Sequence, residues 1–290
     1  HCRLRRQRQM CIRDSYYATN SSSMDVYDME LDSVLYNIAW NNVTIQDPFQ
    51  SWYMMYVNAN GGELWGTRNA LRLSAPDEQW GVIARGIGGS DVDAEFSKDL
   101  NHLYISSGGS TVTRVDGLGS VYSSSPTFME DAFYHDNMGS AVPPNSTSVT
   151  TFNPGGTVEG ICVNPSDAND VLVVTGFGSS NIKRSLNAAG TSPTFTNVGS
   201  IPGNPGTYDA IIDRNDDQIL VVGTSHGVFV TEDGGATWED GSIGFCGTPV
   251  YEVRQSWRTW NEGNFRPGEI YIGTYGRGIW STASYLSTVS

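Results

Sequence analysis

The sequence is poor in lysine. Of 17 basic residues in 290 only Lys98 and Lys183 are lysines, set against 31 acidic residues and a net charge of −14. A surface with this balance repels phosphate backbones and anionic headgroups, which excludes nucleic acid and anionic membranes as partners. The sequence also lacks any run of ~18 consecutive apolar residues, the length that a membrane-spanning helix needs, so no membrane insertion is expected. Cysteine is scarce. Cys2 and Cys11 stand in an atypical N-terminal stretch, while Cys162 and Cys246 could form one disulfide but read better as two buried free thiols.

Helical periodicity is missing throughout. In its place are 33 glycines, with Ser, Thr, Asn and Asp crowded between short apolar runs. That is the composition of many short strands joined by tight turns, and the fold class is all-β. Residues 1–15, "HCRLRRQRQMCIRDS", depart from it: five arginines and no apolar stretch of the kind a signal sequence carries. This segment resembles a translated sequencing-adapter artefact and is set aside, as an artefact or a disordered arm. The expectation is that the native N-terminus, with any signal peptide, lies outside this sequence.

A repeat organises the remainder. "SKDLNHLYISSGG", "PSDANDVLVVTGFG", "DRNDDQILVVGTSHG" and "FRPGEIYIGTYGRG" share a polar turn, a β-branched or aromatic run and then small residues, with "DPFQSWYMMYVNANGG" as a weaker fifth. Taking Val57, Ile105, Val174, Val222 and Ile272 as markers, the spacings are 48, 69, 48 and 50 residues. A further strand follows each marker, an aromatic-bearing strand such as "SPTFME", "SPTFTNVG" or "ATWEDGS" follows three of them, and a β run such as "TVEGICVNP" or "TYDAIIDR" precedes. Four short antiparallel strands in about fifty residues describe one blade of a β-propeller. About five blades are visible. The organisation predicted is a propeller over 16–282, truncated at its N-terminus, with an insertion over about 129–157 in the long spacing. Residues 283–290 would begin a linker to further domains.

Between the third and fourth strands of one unit lies "TEDGGATW", with Thr231, Asp233, Gly235, Thr237 and Trp238 at fixed offsets. Asp233 is placed to accept hydrogen bonds from the backbone of its own turn, Gly234 and Gly235 permit positive φ, and Trp238 returns to the core with its indole N–H seeking a partner. "RSLNAAGTSPTF" keeps Ser185, Asn187 and Thr194 in a stretched version. The motif resembles the Asp-box, or BNR repeat, of sialidases, sortilin-like propellers and xyloglucanase-type propellers. "YIGTYGRGIW" resembles the last blade of secreted sortilin-like bacterial proteins. The resemblance implies a structural turn at the outer edge of a blade, export (often by the type IX route) and a module that binds a protein or glycan outside the cell or at its surface.

The competing reading is a glycoside hydrolase, xyloglucanase-like more than sialidase-like. Inverting hydrolysis needs two carboxylates roughly 6.5–9.5 Å apart. Among Asp91, Asp93, Glu159 and Asp209, the pair Glu159 and Asp209 is favoured, because both fall on first strands, which line a propeller's channel. Phe265-Arg266-Pro267 lacks the pattern of a sialidase arginine. A third reading is a structural adhesin without a discrete ligand. "DRNDDQ", from Asp213, has the rhythm of a calcium loop but lacks its later Gly and Glu, and reads as a hairpin turn. His102, His135 and His226 show no metal-ligand spacing, and no phosphate-binding loop opens a helix. No cofactor is expected. Phe133, Tyr134, His135 and Asp136 in the insertion are the candidate binding residues, since loops on rigid scaffolds carry recognition.

Overall fold

The computed structural model of the chain describes residues 14–20, 23–28, 33–39, 43–44, 54–58, 63–67, 81–87, 93–99, 101–106, 109–118, 147–255, 260, 264 and 266–284. The chain divides into two compact units, His1–Ser90 with Tyr122–Asn145, and Asp91–Val121 with Ser146–Ser290. In the first unit, β1 (Asp14–Asn20), β2 (Ser23–Asp28) and β3 (Ser33–Ala39) form one sheet, and β4 (Val43–Thr44), β5 (Met54–Asn58), β6 (Glu63–Thr67) and β7 (Gly81–Arg85) form another.

The second unit holds four sheets. The first two are β8 (Ala94–Phe96), β9 (His102–Ser106), β10 (Val112–Asp116), β11 (Ser148–Phe152), and β12 (Gly160–Val163), β13 (Val171–Val174), β14 (Ile182–Ser185), β15 (Thr196–Asn197). The others are β16 (Thr207–Ile212), β17 (Leu220–Thr224), β18 (Gly227–Thr231), β19 (Glu239–Asp240), and the three-stranded β20 (Val250–Gln255), β21 (Ile270–Thr274), β22 (Gly278–Thr282). In every sheet the strands are antiparallel and lie side by side in chain order, the up-and-down meander of a propeller blade.

All five markers fall in the second strand of a sheet, so the repeat was read in the right frame. Among the described residues six sheets are present, where about five blades were expected. The extra one, β1–β3, lacks the turn-then-small-residue pattern that identifies the others. Within the segment 129–157, Ser148–Phe152 is β11, which pairs with β10 from Val112↔Phe152 to Asp116↔Ser148 and completes its sheet. "SPTFME", expected as that fourth strand, lies outside the described residues.

The second strands β13 and β17 are nearly continuous apolar runs because both their faces are covered: each is buried at every residue. One core cluster joins the last three sheets through Leu172, Val222, Trp238, Val253 and Ile272. Another joins the β8–β11 and β12–β15 sheets through Tyr104, Val112, Ile161 and Val173. Phe152 stacks on Phe195 at 5.4 Å across that junction, and the Tyr104 hydroxyl donates to Ala168 O at 3.0 Å. Each fully buried aliphatic side chain contributes about 1.5–3 kcal/mol.

First strands of successive sheets lie against one another, β8 by β12, β12 by β16 and β16 by β20. The approach is close enough that a Cβ on Gly160 would stand 2.8 Å from Tyr208 O and 2.9 Å from Asp209 Cα. Glycine is required there by the neighbouring backbone.

The Thr231–Trp238 turn joins β18 to β19 and is closed by its own side chains. Thr231 Oγ1 donates to Asp233 Oδ1 at 2.7 Å and accepts from Gly235 N at 2.9 Å. Asp233 then accepts from Thr237 N at 2.8 Å and Thr237 Oγ1 at 2.6 Å. The stretched version repeats the scheme: Ser185 Oγ donates to Asn187 Oδ1 at 3.0 Å, which accepts from Thr194 N at 2.9 Å. Trp238 is buried, but no acceptor among the described residues meets its Nε1, so the expected partner is absent. Cys162 and Cys246 are unpaired; Cys162 is buried, whereas Cys246 is exposed, because it sits at φ 55° in a surface turn and not in a strand.

Candidate binding site at the inner-strand ends

The residues opposite the markers Ile105, Val174, Val222 and Ile272 are Ala94, Gly160, Ala210 and Val253. The preceding residue is acidic in each of these four sheets: Asp93, Glu159, Asp209 and Glu252. Asp93, Glu159 and Asp209 thus occupy equivalent positions, a relation carried by the register and not by their sequence neighbours.

Two of the four act as clamps between sheets. Ala94 N donates to Asp93 Oδ1 at 2.9 Å, and Ile161 N of the next sheet donates to Asp93 Oδ2 at 2.8 Å. Asp209 repeats this with Ala210 N at 2.8 Å and Val253 N at 2.7 Å. Arg254 adds its Nη1 to Asp209 Oδ2 at 2.8 Å, its Nη2 to Glu252 at 3.0 Å, and reaches Asp93 at 3.5 Å. One guanidinium therefore serves three carboxylates from three sheets. Burial pushes the Asp209 carboxyl up to about 7 against the pull of Arg254, and burial likewise raises Glu95.

Glu159 differs from its three equivalents. Its carboxylate has no hydrogen-bond donor or cation among the described residues, and it lies over Gly176, where an added Cβ would come 3.5 Å from Glu159 Oε1. It stands close enough to Tyr208 for its charge to help raise that phenol, after burial and the Tyr251 hydroxyl.

Tyr208 and Tyr251 are the extra residues of two β-bulges, where the register shifts between Thr207 and Asp209 and between Val250 and Glu252. A bulge re-aims its side chain, and here it brings the two rings face to face at 4.5 Å and 28°. Tyr275, in the β21–β22 hairpin, meets Tyr251 edge-on at 6.0 Å. Phe177, in the β13–β14 hairpin, lies over Gly206, its ring within 2.6 Å of where a Cβ would stand. Antiparallel pairing puts the start of each first strand beside the end of the second, as Val250↔Thr274 shows, so all four rings share one edge. Phe177 is 77% exposed, Tyr275 73% and Tyr251 46%.

Sequence reading missed this row. Its signal was available in "TYD" and "VYE" at equivalent positions and in "TGFG" and "TYGRG" after the markers. Phe133, Tyr134, His135, Asp136 and Asp91 lie outside the described residues. Asp213 accepts from Asn215 N at 2.8 Å and Asp216 N at 3.1 Å, the bonds of a hairpin turn. Arg266 pairs with Glu269 at 2.6 Å in the turn before β21. Among the described residues no group of three His, Cys, Asp or Glu is placed to hold a metal, and no helix is long and apolar enough to cross a membrane.

No protein-family model and no curated protein matches the chain. Solved structures do. A chain of the mitotic checkpoint complex superposes with a TM-score of 0.55 at 11% identity, covering 90% of this chain and 68% of that one. An ancestral GH74 enzyme superposes with a TM-score of 0.50 at 13% identity, covering 89% of this chain but only 28% of that one. Such identities speak for the fold alone, and the fold is a β-propeller.

Proposed function

We propose that this chain is a glycan-binding propeller module acting outside the cell or at its surface, with its ligand lying across the Phe177, Tyr208, Tyr251 and Tyr275 edge. The observation that carries the reading is the exposure of three of these rings on one edge, held there by bulges and hairpins of a rigid sheet stack. Tyrosine offers a flat apolar face and a hydroxyl with little side-chain entropy to lose, which suits sugar rings. The resemblance of the Thr231–Trp238 turn to the Asp-box of secreted propellers supports the location. The GH74 neighbour acts as an enzyme, but in this chain Asp209 is 3% exposed and both its oxygens are committed to neighbouring strands. That commitment favours recognition over cleavage by the Glu159 and Asp209 pair.

A printed array of neutral and charged oligosaccharides, followed by calorimetric titration of the best ligand, tests the reading. Tyr275→Ala and Phe177→Ala are each expected to weaken binding about tenfold or more, as removal of exposed aromatic anchors does. An array on which the folded chain binds no glycan would overturn it, and would favour a protein partner or a purely structural module.

A further inference from the structure

We infer that Glu159 is the specificity-determining residue of this edge, selecting glycans that carry a protonated amine on the sugar ring; the inference rests on the glycan-binding reading. Four equivalent carboxylates stand at the starts of β8, β12, β16 and β20, and three are engaged. Asp93 and Asp209 accept backbone N–H groups of the next sheet, and Glu252 pairs with Arg254 at 3.0 Å. Among the described residues, Glu159 alone of the four has no donor. Between this sheet and the next a different contact is made: Ile212 N donates to Cys162 Sγ at 3.2 Å. Freed from that duty, the longer glutamate side chain lies over Gly176, next in sequence to the exposed Phe177 ring, with Tyr208 within range of its charge.

The aromatic rings and the carboxylate ask for the same ligand. An ammonium group gains from a tyrosine or phenylalanine face by cation–π attraction and from a carboxylate by a charge-assisted hydrogen bond. The surrounding charge agrees in sign. Asp93 and Glu252 stand beside Arg254, whose guanidinium is already committed to them and to Asp209. Arg277 stands two residues after Tyr275 in the same hairpin. A uronate or sialic acid would bring a second anion to Glu159; a hexosamine with a free amine would bring its counter-charge.

The test compares a β-1,4-glucosamine hexamer with its fully N-acetylated counterpart, titrated calorimetrically into the full chain and into Glu159→Gln and Tyr275→Ala. The parent is expected to prefer the amine-bearing hexamer about tenfold, the size of one charge-assisted hydrogen bond, with the preference shrinking as salt rises. In Glu159→Gln the ratio of the two affinities is expected to fall to about one. A parent ratio near one, with both hexamers bound and both weakened by Tyr275→Ala, would overturn the inference and leave the glycan-binding reading standing. A preference that persists in Glu159→Gln would also overturn it, assigning the effect to general charge. Binding of neither hexamer, nor of any array glycan, would overturn the reading beneath it as well. Circular dichroism and melting of Glu159→Gln should match the parent, since the carboxylate holds no partner among the described residues.

Discussion

Arg254 Nη1 lies 2.8 Å from Asp209 Oδ2, joining the first strands of two successive sheets by an ion pair whose carboxylate is 4% exposed and whose guanidinium is 47% exposed. The same oxygen accepts the Val253 N–H, so the ion pair is fixed by the strand that carries it.

Replacing Arg254 by Met removes the cation that Asp93, Asp209 and Glu252 share. Breaking a fully buried pair costs about 3–5 kcal/mol, and half-exposure of the guanidinium reduces this to about 1–3 kcal/mol. Urea denaturation should show the midpoint falling with the slope unchanged. A loss below about 0.5 kcal/mol would mean that backbone bonds alone hold this junction.

Acid titration should separate two aspartates. The folded Asp209 value of about 7 lies above the ~3.9 of an unfolded aspartate, so the folded chain holds the extra proton. Its contribution is present below about pH 4 and is lost as pH rises through about 7. Asp233 runs the other way: the Thr237 and Thr231 hydrogen bonds hold it at about 2, and its contribution, present above about pH 4, is lost as pH falls through about 2. The stability difference between the parent and Asp209→Asn should therefore change between pH 4 and 7. A difference constant over that window would assign the titration to another group.

Glycines of similar φ should differ in their tolerance of a side chain. Gly235 has φ 95°, and a Cβ there would stand 2.4 Å from Val198 Cγ1 and 2.7 Å from Val198 O. Gly276 has φ 86° with nothing within 4 Å. Gly276→Ala should cost about 1–2 kcal/mol, the strain of the left-handed region, and Gly235→Ala more than that, since a neighbouring sheet must also move. Equal melting temperatures for the two variants would contradict the close approach.

The two assignable thiols should react differently. Cys162 is buried, its thiol is pushed up by burial, and it accepts the Ile212 N–H; Cys246 is exposed. Iodoacetamide followed by peptide mapping should modify Cys246 in the native chain and Cys162 only in denaturant. Native labelling of Cys162 would show that the β12–β16 junction opens.

The fold was legible because each blade repeats one local code. A polar turn, a β-branched run and small residues recur at Val57, Ile105, Val174, Val222 and Ile272, and the strands marked by Val174 and Val222 are buried on both faces. The Thr231–Trp238 turn was legible for the same reason, since its hydrogen bonds span only a few residues. The β1–β3 sheet, which lacks the code, was not.

The site was less legible. Asp209 was correctly placed on a first strand, but whether its carboxylate is free or spent depends on Val253 and Arg254, more than forty residues away. Glu159 is distinguished only by what its three equivalents bind. Tyr208 and Tyr251 become neighbours through bulges that no local pattern announces. Composition and periodicity determine which strands form and which faces they bury, because those are short-range properties of the chain. Which carboxylates clamp, which one is left over, and which aromatic rings meet on one edge were decided by the stacking of sheets, where groups far apart in sequence compete for the same backbone donors.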